Sequence, residues 1–270
     1  MPYWGTLSAR FRTLIQYRAA ALAGFSTQIF WGLLKIMVLE AFYRSANERA
    51  LPMQFSQAVS YIWLGQAMWA LLPWSVDPEI RELVKKGGLS YELLRPADVY
   101  GLWFARTLAL RTAPTVLRAL PILIFSALVL PQIYSPWSLS LPLSGVAVLV
   151  WVSSTLAALL LGCAITSFVH ATLPLTVSGD GIVRFVPSVV LLFSGMILPL
   201  PLFPDVVQPL LRVLPFRWLV DMPFRTYIGH VSPGEALIGC GSQLLWTVAM
   251  VIAGRALLAR ALRRAELFGG

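Results

Sequence analysis

Long apolar runs separated by short polar stretches dominate the sequence. A helix needs about 20 mostly apolar residues to cross the hydrocarbon of a bilayer. Six segments approach that length, with bounds 19–43, 55–76, 107–130, 141–169, 185–200 and 236–258. Their apolar residues do not alternate with polar ones, as the strands of a membrane barrel require. The pattern predicts an all-α, polytopic membrane protein with six transmembrane helices in a single domain, residues 1–270.

The segment 77–98, DPEIRELVKKGGLSYELLRPAD, interrupts this pattern with 9 of the chain's 33 charged residues in 22 positions. A stretch with this charge density cannot lie in lipid, so it is predicted to be an aqueous loop. Its four basic residues stand against five acidic ones. This near-neutral balance favours docking to a protein over binding to acidic lipid.

The first half of this loop has the pattern of a short capped helix. Asp77 can accept the first free backbone N–H groups, Pro78 suits the first helical turn, and Gly87-Gly88 ends the helix. One face of the helix is apolar and the rest is charged. The apolar residues are Ile80, Leu83 and Val84, and the charged ones are Glu79, Arg81, Glu82, Lys85 and Lys86.

Residues 1–18 form a basic, amphipathic segment before the first span. Trp4, Leu7, Phe11 and Leu14 recur at helical spacing, with arginines between them. Such a segment predicts a helix that lies on the membrane surface.

Residues 199–235 are rich in both proline and apolar side chains. Seven prolines prevent one continuous helix, yet the segment is too apolar for a free aqueous loop. Short helices that enter the outer interface and return, a re-entrant hairpin, resolve this conflict. An ordinary interfacial loop is the alternative.

Charge and composition set the membrane topology. With 58% hydrophobic and 12% charged residues, the chain has too little polar surface for a soluble globule. Fourteen Lys and Arg residues fall on the side that holds both termini and the loop 77–98, against five on the other side. Positive charge favours the cytoplasm, so these parts are predicted to be cytoplasmic in a bacterial inner membrane. The net charge of +9 then needs no nucleic acid as a partner.

Catalytic and metal-binding patterns are missing from the sequence. No GxxxxGK[ST] run is present to bind nucleotide phosphates, so this chain is not predicted to be an ATPase. The two histidines, His170 and His230, fall on opposite predicted faces, which leaves a metal site without ligands. Ser194 could serve an intramembrane protease only with a histidine in reach, and close helix packing is the simpler explanation for it.

Charge inside a predicted span is costly and often functional, and Lys35, Glu40 and Arg118 are the candidates here. Lys35 is expected to extend to the interface or to pair with Glu40, near the outer end of the same span. A substrate contact is the alternative for Lys35. Arg118 lies in the third span and could reach the inner interface. Because Glu40 is the sole acidic residue within a predicted span, an acidic proton relay is missing.

The parts follow one order: surface helix, two spans, charged loop, then four spans with a proline-broken hairpin before the last. The distinctive local sequences are GLSYELLRPAD at 88–98, FSGMILPLPLFPDVV at 193–207, LPFRWLVDMPFRTYIG at 214–229 and the closing RRAELFGG. Together they resemble the permease subunits of ABC-type exporters with the type V fold. Each motif is moderately specific, and the resemblance covers nearly the whole chain.

The resemblance implies roles for the two surface helices. Residues 77–86 resemble the coupling helix, which inserts into a groove of a separate ATPase subunit, so the apolar face is expected to dock into that partner. Residues 4–17 resemble the connecting helix beside it. The family works as two permeases plus two ATPases, which bind ATP and magnesium, so no cofactor is expected in this chain. The second permease is a sister subunit, slightly favoured, or another copy of this chain.

The resemblance also implies a substrate route, because the second and fifth spans line the central path in such exporters. The residues expected on this route are Trp63, Gln66 and Trp69 in the second span and Ser188, Phe193 and Met196 in the fifth. Packing or lipid-facing positions are the alternative for each. An aromatic, weakly polar path suits an amphipathic drug, lipid or peptide.

The predicted function is therefore that of a transmembrane permease in an ATP-driven exporter that works by alternating access. An ion-gradient-driven secondary carrier is the first alternative, but no repeat symmetry relates the first three spans to the last three. An intramembrane enzyme is the second, and it lacks a polar catalytic constellation at one depth.

Overall fold

The computed structural model describes residues 2–16, 18–45, 51–142, 144–176 and 180–268, and helices make up the regular secondary structure in these ranges. Parts of the predicted surface helix (Met1 and Tyr17) and the end of the RRAELFGG motif lie outside them. The α-helices are α1 Pro2–Ile15, α2 Arg18–Ser45, α3 Phe55–Ala67, α4 Pro78–Lys85, α5 Leu89–Leu93, α6 Val99–Ile124, α7 Leu130–Tyr134, α8 Gly145–Thr172, α9 Asp180–Phe193, α10 Gln208–Val213, α11 Asp221–Tyr227 and α12 Pro233–Phe268.

Helix α8 lies at the centre of the bundle. It packs along α12 and also contacts α6 and α11. Helices α2 and α3 pack against each other and against α6, and α1 lies along α6. The main core cluster contains the fully buried Trp63, Leu64 and Leu161. This arrangement places the amphipathic α1 on the outside of the bundle, where its apolar side chains can lie in lipid.

Among the described residues, four helices are long and apolar enough to cross a membrane. They comprise Leu22–Ser45, Val99–Trp137, Gly145–Leu175 and Pro233–Arg263. These are the first, third, fourth and sixth of the predicted spans, so the expectation of a multi-pass, all-helical protein is confirmed. The third span extends past Ile124 through a π-helical turn, Phe125–Val129.

The predicted second and fifth spans are not continuous helices. In the second, α3 ends at Ala67 and is followed by a 3-10 turn, Trp69–Leu71. In the fifth, α9 ends at Phe193, and Gly195 then takes a φ of +92°. Residues with side chains rarely adopt this left-handed backbone, so Gly195 allows the chain to turn here.

The segment 55–76 nevertheless runs the length of the central helix α8. Near its start, the Ser60 Oγ accepts a hydrogen bond from the Ser140 N–H at 3.0 Å, just before α8 begins. At its finish, the Asp77 N–H donates to His170, near the last turn of α8, at 2.8 Å. These contacts define two ends of the bundle, which we name the α4 end and the α11 end after the short helices there. Helix α11 lies at the end where α8 begins, because its Met222 packs against Val150 of α8.

The proline-rich segment 199–235 is helical only in short pieces. A 3-10 turn, Leu200–Leu202, comes first, and α10, a second 3-10 turn, Pro215–Trp218, and α11 follow. The prediction that proline breaks this segment into short helices is confirmed.

Candidate functional site

The predicted surface helix at 77–86 forms as α4 with the expected caps. The Asp77 carboxylate accepts the Glu79 N–H at 2.9 Å, and Pro78 occupies the first turn. At the other end, Gly87 has a φ of +71°, and the Gly88 N–H donates to the Leu83 carbonyl at 2.8 Å. This pairing satisfies carbonyls that would otherwise lack a partner, so α4 is a defined short rod.

Asp77 also joins α4 to the central helix α8. Its side chain is fully buried, and its backbone N–H donates to Nε2 of the buried His170 at 2.8 Å. Because Nε2 accepts this bond, the imidazole is neutral, with its proton on Nδ1. In the sequence, His170 stands out only as a candidate metal ligand, and no local pattern identifies it as an anchor for α4.

Arg10 of α1 forms a second connection to α4. Its guanidinium donates to the Asp77 carboxylate at 3.3 Å and forms a closer ion pair with Glu79. The surface helix α1 therefore lies beside α4, as the resemblance implied for a connecting helix. The regular spacing of apolar residues in α1 predicted its amphipathic character, but no local signal singled out Arg10 among its arginines.

Arg111 of α6 fixes the chain just before α4. It is almost fully buried, donates to the Ser75 carbonyl, and donates to the Thr166 Oγ1 of α8 at 3.2 Å. In the sequence, Arg111 counts only among the basic residues of the predicted cytoplasmic side. Its position four residues into the predicted third span was the one signal that it is buried.

The apolar face of α4 packs on its own chain. Ile80 is fully buried in a cluster with Val99, Trp103 and Leu173, and Val84 packs against the same cluster. The expectation that this face docks into a partner subunit is therefore wrong for Ile80, since no surface of that side chain is left to contact another protein.

The charged side of α4 is the side open to a partner. Arg81 and Leu83 are half-buried, and the exposed residues are Glu79, Glu82, Lys85 and Lys86. Glu82 and Lys86 form an ion pair of 3.0 Å along the helix, and the Lys86 ammonium lowers the pKa of Glu82. We name these four exposed residues the α4 outer face.

Three residues expected on the substrate route lie in the protein core. Trp63 is fully buried, and its indole N–H donates to the Trp137 carbonyl at 2.7 Å. Gln66 and Met196 are buried as well. Within this subunit these side chains pack the bundle, so the packing alternative describes them better than an open path does.

The other three residues expected on the route are more accessible. Trp69 is half-buried and stacks on Trp74 with ring centroids 4.0 Å apart. Phe193 is half-buried and Ser188 is exposed, with its hydroxyl donating to the Arg184 carbonyl at 3.0 Å. Of the six residues, the structure brings Trp69 and Met196 together around one intramembrane charge, Lys35.

Lys35 contacts the chain that follows α3 and the chain that follows α9. Its Nζ donates to the Met196 carbonyl at 3.4 Å and lies 5.7 Å from the centroid of the Trp69 ring. Glu40 instead binds Arg44 at 2.7 Å and the Trp137 indole N–H at 2.8 Å. The predicted Lys35–Glu40 pairing is wrong, because the lysine turns inward to the end of α3 while Glu40 is held by other donors.

Arg118 lies between α6 and α2. It is half-buried, and its guanidinium lies so close to Gly24 that a Cβ there would come within 2.6 Å of it. Gly24 therefore makes room for this arginine in the helix contact. Its expected reach to the inner interface stays a prediction.

A buried charge cluster, which the sequence patterns did not predict, joins α11 to α3. Asp221 is 1% exposed, and its carboxylate lies 3.4 Å from Arg225, 3.8 Å from Arg217 and 3.4 Å from the Tyr61 hydroxyl. Its backbone N–H donates to the Ser194 carbonyl at 3.2 Å. Arg217 and Arg225 stand four residues on either side of Asp221, which was the available signal.

The described residues give no support for a metal-binding site. No group of three or more His, Cys, Asp or Glu side chains among them could hold a metal ion. Cys163 and Cys240 are both free thiols.

These features define a class of protein: a multi-pass helical membrane component with a capped rod anchored at one end of its bundle. A family model described as ABC-2 family transporter protein matches residues 29–268. The chain therefore belongs to the ABC-2 transporter family, and it is the membrane component rather than the ATPase. Membrane subunits of this family work with ABC ATPase partners. Searches of curated proteins and of solved structures gave no match.

Proposed function

We propose that this chain is the permease subunit of an ATP-driven exporter that moves an amphipathic drug, lipid or peptide-like substrate outward by alternating access. Separate ATPase subunits, two per complex, bind ATP and magnesium and hydrolyse the nucleotide. The observation that carries this proposal is α4: a capped helix in an ABC-2 family chain, with its apolar face held by the bundle and its charged face exposed.

The proposal includes a topology of six crossings with both termini and the α4 end in the cytoplasm of a bacterial cell. The four long helices provide four crossings. The segment 55–76 provides a fifth, supported by its run along α8. The apolar α9, with the turn after it, provides the sixth. The short helices of 199–235 then form the outer re-entrant hairpin, and the second permease is a sister subunit or another copy of this chain.

The contacts of α4 explain how motion of an ATPase could reach the membrane helices. To shift a permease from 1:99 to 99:1 between two conformations, the ATPase must bind one conformation more tightly than the other by about 5.5 kcal/mol. A flexible loop would not deliver that work. Through Arg10 and His170, α4 is instead tied to α1 and to the central helix α8. A push on the α4 outer face therefore moves these helices together.

Exchanging the charges of one ion pair tests the docking role of the α4 outer face. In the double variant Glu82→Lys with Lys86→Glu, opposite charges still face each other along the helix, so α4 stays folded. The surface offered to the partner is reversed, and like charges across an interface cost several kcal/mol. We expect recovery of the ATPase subunit that copurifies with the wild-type chain to fall about tenfold or more.

Asp205→Lys serves as the control, because Asp205 is exposed and lies in the segment that leads to the α11 end. It should leave copurification and transport unchanged. Wild-type ATPase binding and export by the double variant, with normal membrane insertion, would overturn the docking role of this face.

A further inference from the structure

A groove of about 480 Å³ opens between α2 and the chain that follows α9. Its walls are formed by Trp31, Val38 and Phe42 of α2 and by Ile197 and Leu202 across from them. Trp31, Val38, Phe42 and Ile197 are among the exposed large apolar side chains of the molecule. The volume is within the range of small-molecule sites, about 300–1,000 Å³.

Lys35 is the one charged side chain among the described residues that line this groove. Its contacts are a long hydrogen bond to the Met196 carbonyl and the face of Trp69. An ammonium has three donors, so these contacts leave donors for a ligand. The acidic residue nearest in sequence, Glu40, is held by Arg44 and Trp137. The charge therefore lacks a carboxylate among its contacts in the part of the chain covered by the structure.

The depth of Lys35 bears on what can bind there. It stands ten residues before Ser45, the last residue of α2, and at 1.5 Å per residue this separation is about 15 Å. That distance is about half the thickness of the hydrocarbon core. The ammonium also lies against the ring of Trp69, which follows the last residue of α3, Ala67. It is therefore not extended towards the nearer membrane surface at the end of α2. A resident phospholipid keeps its headgroup at the interface, so an anion that meets Lys35 is a molecule in transit.

We propose that this groove binds a singly charged, single-chain amphipathic anion, such as a long-chain carboxylate. Its head pairs with Lys35 and its tail lies along the apolar wall of α2. This inference rests on the proposed function and narrows the substrate class to amphipathic anions. A cationic amphiphile is disfavoured, because the Trp69 face that could attract it is already occupied by the lysine.

Direct binding of tritiated oleate to the purified chain in zwitterionic nanodiscs tests the proposal, at a pH where the fatty acid is ionised. Oleyl alcohol and oleylamine have the same tail with a neutral and a cationic head. We expect the wild-type protein to bind oleate about tenfold or more tightly than either of them, as a charge-assisted contact predicts. Lys35→Met keeps an unbranched apolar side chain close to the length of the lysine stem and removes the charge, so this preference should disappear. Lys35→Arg should retain it.

Arg44→Gln is the matched control, because Arg44 is a cation of the same helix that is paired with Glu40 and does not line the groove. It should leave the preference for oleate intact. Equal binding of the three probes by the wild-type protein, or an unchanged preference in Lys35→Met, would overturn the proposal. If Lys35→Met does not fold, the binding of oleate, oleyl alcohol and oleylamine to the wild-type protein tests the proposal by itself.

The binding measurement needs no ATPase, which separates it from the proposed export. Charge-selective binding to a chain that recruits no ATPase would overturn the proposed function and leave this site standing. Copurification of an ATPase with a chain that binds the three probes equally would overturn this site and leave the proposed function standing.

Discussion

At the scale of single residues, buried polar side chains mark the places where the helices are held together. A polar group taken out of water is costly unless it finds a partner. His170 accepts a hydrogen bond from the Asp77 N–H, and Arg111 donates one to the Ser75 carbonyl. The Asp221 carboxylate forms ion pairs with two arginines. The first two contacts each join a long helix to the irregular segment before α4. Such segments have backbone groups free to pair, because no regular helix uses them.

Asp221→Asn tests the charge cluster at the α11 end. The amide keeps the shape of the side chain but leaves Arg217 and Arg225 without a carboxylate. Removing one partner of a buried ion pair costs about 3–5 kcal/mol. We expect the melting temperature of the purified protein to fall by about 5 °C or more.

Asp205→Asn removes an exposed carboxylate from the same proline-rich segment and should leave the melting temperature unchanged. Equal melting temperatures for Asp221→Asn and the wild-type protein would show that the cluster does not stabilise the fold.

At the scale of elements, α4 shows which features of a helix a local sequence pattern can predict. Its start and end follow from Asp77, Pro78 and Gly87, all within one turn of the helix ends, and the structure has these caps. The pattern also identified an apolar face containing Ile80. It could not tell whether that face meets another protein or the chain itself, because both bury apolar surface equally well. The position of α4 against α6 and α8 settles this for Ile80.

Ile80→Ala tests whether α4 is anchored by its own bundle. Truncating a buried isoleucine costs about 2–5 kcal/mol, and Ile80→Val costs about 0.5–1.5 kcal/mol. We expect hydrogen exchange of the α4 amides to accelerate about 30-fold or more in Ile80→Ala, measured on the chain without its ATPase. The valine variant should show a much smaller change. Unchanged exchange in Ile80→Ala would mean that this packing does not hold α4.

At the scale of the whole molecule, the two ends of the bundle are tied to the same central helix. The α4 end reaches α8 through His170, and α11 contacts α8 at the opposite end, where the rings of Tyr227 and Trp151 pack together. Helix α8 also packs along α12 for much of its length. In the proposed exporter, this rigid centre carries motion from the cytoplasmic side to the outer hairpin.

His170→Leu tests that transmission. Leucine fills the space but cannot accept the Asp77 N–H, so a buried donor loses its partner. In proteoliposomes with the ATPase subunit, we expect ATP hydrolysis to continue while transport per ATP falls about fivefold to tenfold. His170→Gln offers an acceptor on a side chain of similar reach and should restore much of the ratio. A wild-type ratio in His170→Leu would exclude this contact from the coupling route.

The sequence by itself determined the helical membrane fold, the four long spans, the short helices of the proline-rich segment 199–235 and the caps of α4. Each depends on residues close together in the chain: about 20 apolar residues make a span, and a cap is complete within four residues. Only the tertiary structure decided the partners of Lys35, His170 and Asp221. The Asp77–His170 bond joins residues 93 positions apart, and the Tyr61–Asp221 contact joins residues 160 apart. Such contacts depend on how whole helices pack, and one sequence read locally does not specify which faces meet.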